Sequence, residues 1–112
     1  MAGIFELYKD KRGEFRFRLK ASNGQNILAS EGYKERGGAE NGIASVKKNA
    51  ADADRFEKRE STSGKPYFVL KAANHQVIGQ SEMYESDAAC DNGVKSVMAN
   101  APDAETTDLT DA

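Results

Sequence analysis

The chain has 112 residues, of which 38% are hydrophobic and 30% charged, the size and balance of one globular domain with a modest core. Its formal net charge is −2, without the basic excess that drives sequence-independent nucleic-acid binding over a whole surface. A single cysteine, Cys90, and a single histidine, His75, exclude an internal disulfide and are too few for a usual structural zinc site.

From the N-terminus, charge arrives by Glu6 and no long apolar run follows. Neither a signal peptide nor a membrane span is expected, and the expected location is the cytoplasm. Ile4 to Lys9 reads as a first strand and Asp10 to Gly13 as a turn. Phe15, Phe17 and Leu19 then alternate with Arg16, Arg18 and Lys20, a period of two that predicts a strand with one buried face. Asn23-Gly24 signals a hairpin. A three-residue loop with Gly24 left-handed is preferred, because it pairs Leu19 with Ile27 rather than Lys20 with Ile27. The third strand runs through Ile27 to about Glu31.

A helix is expected from about Gly38 to Lys48, with Ala39, Ile43, Val46 and Ala50 on one stripe. Gly42 lies inside it, where glycine costs about 1 kcal/mol relative to alanine. Close backbone contact with the sheet or with the other helix is the expected compensation.

At Gly64 the pattern begins again, shifted by 51 from Gly13. Phe17, Leu19, Lys20, Ala21 and Asn23 recur as Phe68, Leu70, Lys71, Ala72 and Asn74. Ser30, Glu31 and Tyr33 recur as Ser81, Glu82 and Tyr84, and Asn41, Gly42, Ser45, Val46 and Asn49 as Asn92, Gly93, Ser96, Val97 and Asn100. Two copies are too few for a solenoid, so they are expected to complete one core. The second unit's first strand is placed at Arg55 to Glu60. Cys90, Val94, Val97 and Ala101 form its helical stripe. Ser86 is the expected N-cap, with Asp87 in the first turn. Asn49 and Asn100 suit left-handed C-caps, and Pro102 blocks continuation. His75 takes the hairpin position of Gly24, since histidine tolerates positive φ better than most residues.

Residues 1–112 thus read as a single domain: repeat 1 at about 3–52, repeat 2 at about 54–103, and an acidic tail 104–112 expected to be mostly flexible. Repeat logic leaves open an added strand between Thr106 and Thr110.

The runs Asn41-Gly42-Ile43-Ala44-Ser45-Val46-Lys47-Lys48-Asn49-Ala50, Phe5-Glu6-Leu7-Tyr8-Lys9-Asp10 and Phe15-Arg16-Phe17-Arg18-Leu19-Lys20, with the echo at Asn92-Gly93-Val94-Lys95-Ser96-Val97, resemble the YegP-like family of small bacterial proteins. The resemblance implies an α+β fold in which two tandem βββα repeats share one antiparallel sheet, with both helices packed on one face. It carries no established activity, so no catalytic residues transfer. The chain departs from the pattern at Gly37-Gly38, which weakens the first helical turn, and at His75.

Such a sheet leaves one face open. Glu6, Tyr8, Arg16, Arg18 and Lys20 from the first copy fall on it, with Tyr67, Val69 and Lys71 from the second. Cations interleaved with tyrosines suit single-stranded nucleic acid, with cations for phosphate and rings for stacking. The competing account is a solvated face laced by cross-strand pairs such as Glu6 with Arg16. The candidate binding face is therefore Tyr8, Arg16, Arg18, Lys20, Tyr67 and Lys71. Lys34, Arg36, Lys47 and Lys48 are better explained as a solvated helix face than as a second patch.

Cys90 lies on the apolar stripe and His75 at a hairpin tip, so no thiol–imidazole pair is expected. Asp52 with Asp54 and Asp87 with Asp91 suit helix ends rather than acid–base work. Asn41 and Asn92 recur as if the fold needs them, as buried hydrogen-bond partners. With no catalytic constellation, cofactor or metal site, the residues point first to a non-enzymatic binding module of the bacterial cytoplasm. Its partner is an unnamed protein or a second copy. The alternative is a weak single-stranded nucleic-acid binder using the open sheet face.

Overall fold

A computed structural model describes residues 3–110. The first copy supplies β1 (Ile4–Lys9), β2 (Phe15–Lys20), β3 (Asn26–Ala29) and α1 (Arg36–Asn49). A single 3-10 turn (Ala53–Arg55) leads into the second: β4 (Phe56–Glu60), β5 (Pro66–Lys71), β6 (Val77–Gln80) and α2 (Asp87–Asn100). A short β7 (Glu105–Asp108) follows.

The strands form one sheet in the order β4-β5-β6-β3-β2-β1-β7. The expected antiparallel sheet accounts for the first six strands. β7 lies parallel to β1, with Phe5 opposite Thr106 and Leu7 opposite Asp108, so the sheet is mixed. The expectation of a mostly flexible tail is corrected for 105–108, while 111–112 fall outside the described residues. The physical reason lies in the repeat: α1 carries the chain to the outer edge beside β5, and α2 carries it to the matching edge beside β1. Leu109 donates its amide to the Leu7 carbonyl at 2.8 Å, and Arg36 pairs with Asp108.

Both helices cover one face, over a core of Phe5, Leu7, Phe17, Leu19, Leu28, Phe68, Leu70, Val46 and Val97. Each copy builds the same aromatic cluster. Phe5 meets Phe17 edge-on at 6.0 Å and Tyr33 stacks on Phe17 at 6.4 Å; Phe56, Phe68 and Tyr84 repeat this at 5.7 and 6.2 Å. The helical glycines rest on these clusters. A β-carbon on Gly42 would come within 2.7 Å of the Phe17 ring and 2.9 Å of the Tyr33 hydroxyl, and one on Gly93 would collide with Tyr84. The compensating close contact is with the sheet.

The hairpin loops have the expected three residues. Ala21 donates to the Gln25 carbonyl at 2.8 Å, and Gly24 and His75 have φ of 87° and 69°. The pairing beyond them is corrected: Leu19 faces Leu28, because Ile27 is an extra residue between that pair and Lys20 with Asn26. The same bulge places Leu70 opposite Gly79. It keeps apolar opposite apolar while twisting the strand.

Three further expectations change. Asn49 and Asn100 are not left-handed caps; their Nδ2 groups bond back to the Ser45 and Ser96 carbonyls at 2.8 Å, and the caps Ala50 and Ala101 stay right-handed. Asn41 and Asn92 are exposed rather than buried. The buried polar residues the fold needs are Ser30 and Ser81, whose hydroxyls each accept a β-strand amide. Ser86 does cap α2, accepting from the Ala89 amide at 3.1 Å. Glu35 opens α1 without a side-chain cap, and Gly37-Gly38 lie within the helix.

Candidate functional site

The face away from the helices carries every residue expected there. Glu6 stands opposite Arg18 and Tyr8 opposite Arg16, so the cross-strand partner of Glu6 is Arg18 rather than Arg16. In the second copy Glu57 faces Val69 and Arg59 faces Tyr67. The offset of 51 thus puts Arg59, Tyr67 and Val69 where the first copy has Tyr8, Arg16 and Arg18.

The two copies meet at β3 and β6, two four-residue strands paired at Ala29 and Gln80. Each is bulged at its isoleucine, and the added twist limits how long they run side by side. A groove of about 470 Å³ lies over this seam. Its floor and walls are repeat-related: Asn26 with Val77, Leu28 with Gly79, Ala29 with Gln80, Ser30 with Ser81, Glu31 with Glu82. Only the first copy adds Tyr8, Arg16 and Arg18. The duplication therefore creates a concave site on its pseudo-two-fold, walled by Tyr8, Arg16 and Arg18 of the first copy but not by Arg59, Tyr67 and Val69 at the matching positions.

That wall is internally balanced. The Arg18 Nε–H donates to Glu6 at 2.6 Å and its guanidinium lies 4.5 Å from the centre of the Tyr8 ring. Lys20 reaches the same carboxylate at 3.4 Å. The Arg16 Nε–H donates to Asp10 at 2.7 Å, and its other end reaches the Ser30 carbonyl at 3.3 Å. Lys71 donates to Glu57 at 2.7 Å. Charge-assisted bonds of this kind hold the acids ionised. Arg18 keeps Glu6 below the usual carboxylate range, Arg16 does the same for Asp10, and Lys71 with Arg59 takes Glu57 down to about 2.

Of the six candidate residues, the structure gathers Tyr8, Arg16 and Arg18 at the groove. Lys20, Tyr67 and Lys71 share the face but lie outside the groove lining. The groove's remaining residues were missed because the strand order, and hence the meeting of β3 with β6, is not written in either copy alone. The recurrence of Ser30-Glu31 as Ser81-Glu82 was the available signal.

Cys90 is buried on the helix side, where burial pushes its thiol above the usual range. His75 sits at the β5–β6 hairpin tip. Among the described residues no group of three His, Cys, Asp or Glu side chains is placed to hold a metal ion, and no helix is long and apolar enough to cross a membrane.

A family model described as a domain of unknown function, DUF1508, matches residues 10–57 and again residues 61–108. The chain belongs to this family. The second DUF1508 match starts 51 residues after the first, the offset of the repeat. A UPF0339 protein of Stutzerimonas stutzeri, described as lying in a ptx operon 5′ region, is 57% identical over 109 residues, covering 97% of this chain and 98% of that one. UPF0339 protein YegP of Escherichia coli K12 is 52% identical over 100 residues, 89% of this chain and 91% of its own. The YegP-like resemblance is thereby established. The solution NMR structure of the Escherichia coli protein yegP, described as of unknown function, superposes with a TM-score of 0.94 at 48% identity, covering 100% of this chain and 97% of that one. That of a UPF0339 protein from Shewanella oneidensis gives 0.92 at 52%, covering 98% and 93%. This DUF1508 chain therefore shares its two-copy architecture with proteins whose descriptions assign no activity.

Proposed function

We propose that this chain is a non-enzymatic binding module that takes a protein partner in the groove over the β3–β6 seam. The observation that carries the reading is the groove's construction from the same positions of both copies, closed on one side by Tyr8, Arg16 and Arg18. Its polar groups are of the kind that orient a chain: Asn26, Gln80 and the rim acids Glu31 and Glu82. In its floor the exposed Ala29 and Val77 offer apolar area. A nucleophile beside a base is what acyl or group transfer requires, whereas the lining serines Ser30 and Ser81 accept strand amides and donate to the backbone carbonyls of Glu31 and Glu82 rather than to a base.

The nucleic-acid alternative is weaker on this geometry. Phosphate binding draws on cations free to replace counterions, whereas Arg16, Arg18, Lys20 and Lys71 each have a carboxylate within 3.4 Å. Base stacking needs an open ring, and Arg18 lies over Tyr8.

A photo-reactive residue at position 29, in the groove, is compared in bacterial cells with one at Ala44, exposed on α1. A discrete protein adduct at 29 and not at 44 is expected. Identical patterns at both positions, or adducts to RNA alone at 29, contradict the reading.

A further inference from the structure

The two outer edges of the sheet are related by the duplication but are not equally covered. On the first-copy side β7 adds to β1, and Phe5 and Leu7 are fully buried. Asp108 sits against Arg36 at the start of α1, and Leu109 bonds to Leu7. On the second-copy side β4 is the outermost strand. Its Phe56, the counterpart of Phe5, is only partly buried. At the other end of β4, where its hairpin with β5 meets the start of α2, lies a concavity of about 450 Å³ lined by Lys58, Arg59, Glu60, Glu85, Ser86 and Asp87, among others. Shifted back by 51, Lys58 and Asp87 become Leu7 and Arg36. These are the residues that hold the end of β7.

We infer that the outer edge of β4 and the start of α2 form a docking slot for an extended segment of a partner protein. The segment adds parallel to β4 as β7 adds to β1, with a lysine or arginine where β7 has Asp108. An open strand edge offers unpaired amides and carbonyls to such an addition, and alternate side chains supply selectivity. The sign of the charge follows from the inversion of Arg36 to Asp87; the same register sets that cation opposite Lys58, the counterpart of Leu7. Lys58 is engaged by Asp91 at 2.9 Å and Lys65 engages Glu85 at 3.0 Å. Among the described residues Asp87 and Glu60 have no cation within 4.0 Å. Arg59 is held by Glu57 at 2.5 Å, so the carboxylates of Asp87 and Glu60 leave the slot acidic. That argues against the tail of a second copy as occupant, since its Asp108 would face Asp87.

This slot is separate from the seam groove, and its test reads out at different residues. The probe is a capped seven-residue peptide with the sequence of residues 104–110 but lysine in place of Asp108, titrated to millimolar into the labelled full chain. Saturable amide shifts are expected at 56–60 and 86–88. The same peptide with its native aspartate should bind about tenfold more weakly, since one exposed pair turns from attraction to repulsion. In Asp87→Arg the preference should reverse, and in Asp87→Asn it should shrink; both retain the Ser86 cap and are checked for an unchanged fold by their spectra. Equal binding of the two peptides, no saturable shift in β4, or shifts confined to the seam groove overturn the inference.

Discussion

The hydroxyl of Ser30 accepts the Phe17 amide at 2.9 Å while the Ser30 amide donates to the Phe17 carbonyl at 2.9 Å. Ser81 and Phe68 repeat both bonds at 2.9 Å. Each serine thus closes the β2–β3 or β5–β6 ladder with its side chain, where the strand has turned away.

Replacing Ser30 with alanine leaves the buried Phe17 amide unsatisfied. The expected cost is about 1–3 kcal/mol, and Ser81→Ala should cost the same within error. Urea denaturation of both variants checks this, and losses below about 0.5 kcal/mol would contradict the assignment.

The helical glycines separate propensity from packing. Gly37→Ala meets open space and should stabilise the chain by about 0.4–1 kcal/mol. Gly42→Ala gains the same propensity but drives a methyl to 2.7 Å from the Phe17 ring. Overpacking of this kind costs about 1–3 kcal/mol, so the net effect is destabilising. Opposite signs in thermal melts are the expected outcome.

The acid side of the stability curve is set by carboxylates held low on the open face. Glu57 falls from an ordinary 4.5 to about 2, chiefly through Lys71 and then Arg59. A depressed folded value means its contribution is complete above about pH 4.5 and is lost as pH falls toward 2. Glu57→Gln should therefore flatten the dependence of the urea midpoint on pH between 5 and 2, as should high salt. An unchanged slope would show that the Lys71 and Arg59 contacts do not persist in solution.

Truncation after Pro102 removes β7 and uncovers Phe5. The expected loss is about 1–3 kcal/mol, larger than that of Asp108→Ala, which breaks only a partly exposed ion pair of about 0–1 kcal/mol. Equal losses would place the tail's contribution in the Arg36 pair rather than in the strand.

Most of the architecture was legible because the two copies report the same pattern twice: strands, loop length, Ser86 cap and helical stripes all follow from spacing. The bulge was not, because Ile27 and Leu28 are both apolar and either can face Leu19. Strand β7 was legible only as an alternative left open by the repeat, because Glu105-Thr106-Thr107-Asp108 has no buried face of its own; its pairing is dictated by the free edge that α2 delivers it to. The open face could be named from alternation in β1, β2 and β5. The groove could not, because it arises where two short strands from different copies meet. Asn41 and Asn92 were misread for a related reason: recurrence shows that a position is retained by duplication, not that it is buried.

The most direct test of the seam groove is an amide footprint of the labelled chain in clarified bacterial extract. Selective broadening at 26–31 and 77–82, extending to Arg16 and Arg18 and abolished by protease treatment of the extract but not by nuclease, is the predicted result. Uniform broadening, a footprint on the helices, or sensitivity to nuclease alone would contradict the account.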